Sequence, residues 1–363
     1  MIWLLTLGVV VGAFVLGCTK GAPTPQDQKK VIKPVVVTEQ VKWDTDDPAI
    51  WVNPVAPTKS LIIGTDKNSD GALYVFDLDG KIIPEKTVRG LKRPNNVDVE
   101  YGLIINGKPV DIAVATERET NKIRIYQLPE MKAIDNGGVE VFTGEKDRGP
   151  MGISLYKRAK DGAIYAILSR KSGPLDGYLW QYLLQDDGKG GVKGTKVRAF
   201  GLYSGKKEIE SIAVDDKLGY VYYSDEQTCV RKYYADPEMP GAEKQLGTIS
   251  VAGYLEDNEG ISIYEVNDGT GYILVSNQSA NKFHIYKREG EQGNPHDQKE
   301  VKVVDVMTTN SDGSDVTNIP LGPKFPAGMF VAMADDKTFQ LYSWADIAGT
   351  DLVIAPNGVK KAK

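Results

Sequence analysis

A repeat of about fifty residues constrains this chain more than any other feature. Phe76, Tyr126, Tyr182, Tyr233, Tyr286 and Tyr342 each sit in a short aromatic-bearing apolar run. Their successive spacings are 50, 56, 51, 53 and 56 residues. Another apolar run and a polar turn precede each one, as in Gly64-Thr65-Asp66-Lys67-Asn68 and Tyr223-Ser224-Asp225-Glu226-Gln227. A second series is interleaved with the first. It comprises Asp46-Asp47-Pro48-Ala49-Ile50-Trp51, Asn95-Asn96-Val97-Asp98-Val99, Met151-Gly152-Ile153-Ser154-Leu155, Glu210-Ser211-Ile212-Ala213-Val214 and Glu259-Gly260-Ile261-Ser262-Ile263. Ala327-Gly328-Met329-Phe330-Val331 is read as its sixth member. Each run has a polar or small residue at its head. A period near fifty, with several strand-like runs per period, predicts an all-β, six-bladed propeller of four-stranded blades. A large β-sandwich with regular turns is the alternative. Val35-Val36-Val37 precedes the first unit, and the last unit is one strand short. An N-terminal strand is therefore expected to complete the last blade and close the ring.

The expected layout is a lipoprotein-type signal peptide over 1–17, a tether over 18–34, the propeller over 35–356 and a basic tail over 357–363. Residues 1–17 are apolar but short for a spanning helix. Val15-Leu16-Gly17-Cys18 resembles a bacterial lipoprotein box, in which the cysteine becomes the lipidated first residue. The expected location is the bacterial cell envelope, anchored through Cys18. An uncleaved anchor, or an ordinary signal peptide with periplasmic or secreted product, is the alternative. Cys18 and Cys229 are the two cysteines, so no disulfide framework is expected, and Cys229 reads as a small core residue. The net charge is -5, and no basic run suggests a nucleic-acid partner. Short helical turns are expected at Lys324-Phe325-Pro326 and at Trp344-Ala345-Asp346-Ile347.

In a propeller, the heads of the innermost strands form a ring at one mouth of the central channel. That ring is expected to hold Asp47, Asn96, Glu210 and Glu259. Loops between second and third strands face the same mouth and add Lys67, Arg118, Lys171, Glu226 and Gln278. Carboxylates and amides are hard oxygen ligands, which suits Ca²⁺. Converging carboxylates repel one another without a metal. Lysine and arginine beside them suit phosphate. The plainer alternative is a set of solvated turn residues with one stabilising calcium. Two histidines, His284 and His296, leave little room for a histidine-nucleophile phosphatase or a multi-histidine zinc site. Asp66-Lys67-Asn68-Ser69-Asp70-Gly71 begins like an EF-hand loop but lacks the acidic twelfth ligand.

From about Trp43 to Trp344 the chain resembles the β-propeller phytases, the calcium-dependent alkaline type. The resemblance is carried by Asp46 to Trp51, Asn95 to Val99, Glu210 with Ala213-Val214-Asp215-Asp216, Asp257-Asn258-Glu259-Gly260, Ser276-Asn277-Gln278, Ser311 to Val316 and Leu321 to Pro326. It implies a six-bladed propeller, several Ca²⁺ ions and hydrolysis of phytate (myo-inositol hexakisphosphate). A cleavage site would lie beside an affinity site for a neighbouring phosphate. The resemblance assigns Asp47, Glu210, Glu226, Asp257, Glu259, Gln278 and Asp312 to calcium, and Lys67, Arg118 and Lys171 to phosphate. Lys67, Arg118, Lys171, Glu210 and Glu226 then form the catalytic group. Four positions depart from the family pattern. Met151 stands where a tyrosine is frequent, Asn68 for a second lysine, Ser172 for a glutamate and Asn310 for an aspartate. The charges imply attack on phosphorus by a calcium-bridging water, without a covalent intermediate. The expected partner is phytate or another inositol phosphate as its calcium complex, bound by a monomer. The alternatives are a calcium-stabilised surface propeller that binds phosphorylated ligands without turnover, and a metal-dependent propeller lactonase.

Overall fold

A computed structural model describes residues 31–356, together with Met1. The leader, most of the tether, Cys18 and the basic tail lie outside the described residues.

The apolar runs are continuous rather than alternating because both faces of each blade are buried. In blade 1, Ile62 packs toward blade 6 while its neighbour Ile63 packs toward blade 2. Successive side chains of a strand point to opposite faces, so one run feeds two interfaces. Among the described residues there are six hydrophobic clusters, one between each pair of neighbouring blades.

The described residues form six antiparallel sheets. The innermost strands are Thr45–Trp51, Pro94–Ile105, Pro150–Lys157, Ile212–Asp215, Asn258–Glu265 and Ser314–Thr317. Each contacts the next, and the sixth contacts the first, so the sheets close into a ring. Residues from all six line a central channel, among them Asp47, Asn96, Ser154, Ala213, Ser262 and Asp315. The aromatic series occupies the third strand of every blade, from Gly71–Phe76 in blade 1 to Thr338–Ser343 in blade 6.

The sixth member of the inner-strand series is corrected. Met329–Ala334 is the second strand of blade 6, and its innermost strand is Ser314–Thr317. That segment is short and polar, so it carries no apolar run to mark it. The N-terminal strand Val36–Val37 pairs antiparallel with Thr338–Ser343, as the outermost strand of blade 6. The folded part reaches back to Ile32, which is buried and bridges Val306. Trp344–Ala348 forms a short helix, with Trp344 stacked on Tyr264 at 3.7 Å, whereas Lys324 lies in a turn and Pro326 in an isolated bridge to Gly328, with no helix there. Cys229 is buried in a blade 4 strand. No helix among the described residues is long and apolar enough to cross a membrane.

Candidate active site

The heads of four innermost strands are bulged. Register shifts fall between Thr45 and Pro48, Pro94 and Val97, Pro150 and Ile153, and Asn258 and Ile261. A bulge re-aims the side chains it carries. In blade 1 it divides the two aspartates. Asp47 lines the channel, where its carboxylate accepts the Val97 N–H at 3.0 Å. Asp46 turns to the mouth and pairs with Lys67. Blade 2 repeats the division, with Asn96 in the channel and Asn95 at the mouth.

The mouth is a connected polar network. The Asn95 amide donates to Asp46 at 2.9 Å and also to Glu210. Arg118 donates to the Asn95 carbonyl oxygen. Lys67 Nζ lies 3.6 Å from Asp312 and 4.0 Å from Glu210, and Gln278 donates to Asp312. On the far side, Lys207 pairs with Asp257 and lies 3.6 Å from Glu226. Lys171 pairs with Glu208.

Three carboxylates meet at the centre. Glu210, Glu226 and Glu259 each offer an oxygen, and these oxygens lie within 4.8 Å of one another. Glu226 and Glu259 are buried, and one oxygen of each has no hydrogen-bond partner. Burial, with Glu210 adjacent, pushes the Glu226 carboxyl up to about 8. Burial and the charges of Glu226, Glu210 and Asp312 push Glu259 well above the usual carboxylate range. Asp312 is raised to about 6, chiefly by burial. Burial also opposes ionisation of Glu210, but Lys67 and Arg118 overcome it and hold its carboxyl below the ordinary value. Unpartnered, mutually repelling carboxylate oxygens are what a bound hard cation would satisfy.

Every second-to-third-strand loop named in the sequence reading reaches this mouth. Lys67, Lys171 and Glu226 each follow the last residue of a second strand, and Arg118 and Gln278 open 3₁₀ turns there. Lys67, Arg118, Glu210, Glu226, Asp257, Glu259, Gln278 and Asp312 share the network. Asp47 stands apart in the channel, and Lys171 is half exposed on its own pair. Asp46, Asn95, Lys207 and Glu208 escaped sequence reasoning as site residues. The first two sit beside residues that were named, on the other side of a bulge. Lys207 and Glu208 stand three and two residues before Glu210, a proximity that is a usable signal. Of the departures, Met151 is buried and offers its carbonyl to Thr116 Oγ1 at 2.6 Å. Asn310 donates to Asp335 at 2.8 Å, outside the network.

A family model described as Phytase matches residues 19–348. A 3-phytase of Bacillus subtilis (strain 168) is 35% identical over 326 residues, covering 84% of this chain and 80% of the relative. Among solved structures, Kuenenia stuttgartiensis hydrazine synthase aligns with a TM-score of 0.51 over 90% of this chain and 99% of that chain. At 11% identity that likeness concerns the fold alone. Given the match across most of its length and the 3-phytase relative, this chain belongs to the Phytase family.

Proposed function

We propose that this chain is a calcium-dependent phytase, releasing phosphate from myo-inositol hexakisphosphate at the mouth of the propeller. The observation that carries the reading is the Glu210, Glu226 and Glu259 cluster, with two buried orphan oxygens and lysines around it, in a member of the Phytase family. The donors are all oxygen, which fits calcium and not a soft metal. Glu210, Glu226 and Glu259 would hold one ion. Asp257, Gln278 and Asp312 extend the donor set around the rim, and Asp47 does so in the channel, so several ions are proposed. Bound calcium supplies positive charge that acidifies water and offsets the charge of the phosphoryl group.

The chain's own residues do the rest. Lys67, Arg118 and Lys171 face the anionic substrate as cations. Lys67 exchanges its pairing with Asp46 for a phosphoryl oxygen. Arg118 brings a buried Nε–H that has no partner, a donor ready for an anion. Asn95 holds Asp46 and Glu210 in place through one amide. These donors offset the charge spread over the phosphoryl oxygens in the transition state. Phosphate release from phytate, measured with calcium and with chelator, tests the reading. Calcium-dependent release is expected. Calcium-dependent phytate binding with no release would overturn it in favour of a binding propeller.

The Val15-Leu16-Gly17-Cys18 motif supports a further proposal, that Cys18 is lipidated and holds the protein on the cell envelope. Cys18→Ala should release the protein from membranes. Unchanged membrane retention would favour an uncleaved anchor.

A further inference from the structure

Lys207 plays no part in the sequence reading, and the phosphate-contact role falls on Lys67, Arg118 and Lys171. It lies between the outermost strand of blade 3, Val192–Leu202, and the innermost strand of blade 4. Its ammonium pairs with Asp257 and stands 3.6 Å from Glu226 Oε2, so it touches two of the carboxylates assigned above to calcium. The other oxygen of Glu226 is buried and without a partner, and Glu226 belongs to the cluster with Glu210 and Glu259. Glu259 has a second such oxygen. One ammonium thus serves one edge of a carboxylate cluster that it cannot fully satisfy.

The backbone that carries Lys207 is pinned. Tyr203 Oη donates to the Lys207 carbonyl. Ser204 bonds to Asp225 through its N–H at 2.9 Å and its hydroxyl at 2.7 Å, and the Glu226 N–H donates to the Glu208 carbonyl at 3.1 Å. The Lys207 side chain itself is 40% exposed. A lysine ammonium is a compact charge on a flexible four-carbon stem. It can therefore leave the carboxylates for solvent without moving the loop.

We propose that Lys207 is a built-in competitor of the metal, a counter-cation that neutralises the Asp257 and Glu226 edge when calcium is absent and swings out when it is present. It would set the calcium concentration at which the site fills. The inference rests on the calcium reading above, and it concerns metal affinity rather than the chemical step. Two cations cannot share the same carboxylate edge without repulsion, so whatever stabilises the ammonium there weakens calcium binding by the same amount.

Calcium titration of chelator-stripped protein by calorimetry tests it, on wild type, Lys207→Met and Lys207→Arg. Lys207→Met should bind calcium roughly three- to tenfold more tightly, the scale of one partly exposed ion pair beside buried carboxylates. Lys207→Arg keeps the charge and should bind as wild type does. In chelator, Lys207→Met should melt below wild type, and in excess calcium the two should melt together. Equal or weaker calcium binding by Lys207→Met overturns the proposal, as does an equal fall in melting temperature with and without calcium, which marks a plain structural ion pair. Absence of calcium binding by the wild type overturns the metal reading itself. Binding by the wild type with an unchanged Lys207→Met overturns this inference alone.

Discussion

Glu210 and Lys67 lie 4.0 Å apart, yet their loss should be felt differently. Glu210→Gln removes one charge and nearly keeps the shape. It should weaken calcium binding, and excess calcium should restore part of the rate. Lys67→Ala would remove the charge-assisted contact to phosphate proposed above, worth roughly 1.5–3 kcal/mol or about 10- to 150-fold in rate. Calcium should not restore it. Steady-state kinetics across a calcium series separates the two, and wild-type turnover in both variants would move the active site elsewhere. A third residue sets a pH dependence away from the site. Lys232 is buried, donates to the Pro295 carbonyl at 2.6 Å and lies 3.9 Å from the Tyr220 ring. Burial lowers its ammonium from 10.5 to about 8. Between those values the unfolded chain holds the proton and the folded chain has released it, so stability rises with pH through that window. The gain from this group is on the order of 3 kcal/mol. Urea midpoints at pH 7 and pH 10 should rise more for wild type than for Lys232→Met.

The element that builds the site is the bulged head of an inner strand. It gives two consecutive residues to two places, as Asp46 and Asp47 show. It also lets backbones approach closely. Gly152, in the blade 3 bulge, would drive a Cβ into the Glu210 carbonyl of blade 4. Gly152→Ala must therefore push Glu210 aside. A loss of about 1–3 kcal/mol is expected, with weaker calcium binding as well. Gly269→Ala is the control, since its nearest neighbour is the Asn267 side chain at 3.8 Å, and it should stay within about 0.5 kcal/mol of wild type. Equal melting temperatures for the two variants would show that the bulge has slack.

At the scale of the molecule, closure depends on two strand residues. Val36–Val37 gives blade 6 its outermost strand, and Val36 packs in the cluster between blades 6 and 1. The flanking backbone extends the join through the Val35 N–H to Leu341 and the Thr38 N–H to Phe339. Removing the chain through Thr38 exposes a sheet edge at the point where the ring closes. A loss of roughly 3–6 kcal/mol is expected from the buried valine and the lost hydrogen bonds. Thermal unfolding and light scattering should show a lower transition and aggregation. Chelation tests the proposed calcium site. If calcium binds only the folded ring, EDTA should cost roughly 3–4 kcal/mol for a site previously saturated 100- to 1,000-fold. A melting temperature indifferent to chelator would count against structural calcium.

The sequence by itself determined the architecture, because a propeller is built from local, repeated elements. Apolar runs, turns and the aromatic third strands recur at one period, and each blade needs only its neighbours to be buried. It failed where local signal is weak. Ser314–Thr317 is an inner strand by position in the ring and not by composition, so the apolar run from Ala327 to Val331 imitates it. The loops bearing Lys67, Arg118, Glu226 and Gln278 were legible because a polar turn after a second strand always faces the same mouth. Which of two adjacent residues reaches that mouth was not legible. Asp46 rather than Asp47, and Asn95 rather than Asn96, join Glu210 because bulges override the simple alternation of a strand. Only tertiary structure brought Glu259 of blade 5 to within 4.8 Å of Glu210 and Glu226 of blade 4 and laid Lys207 against Glu226 and Asp257. Burial and convergence belong to the closed ring, and no spacing in the chain encodes them.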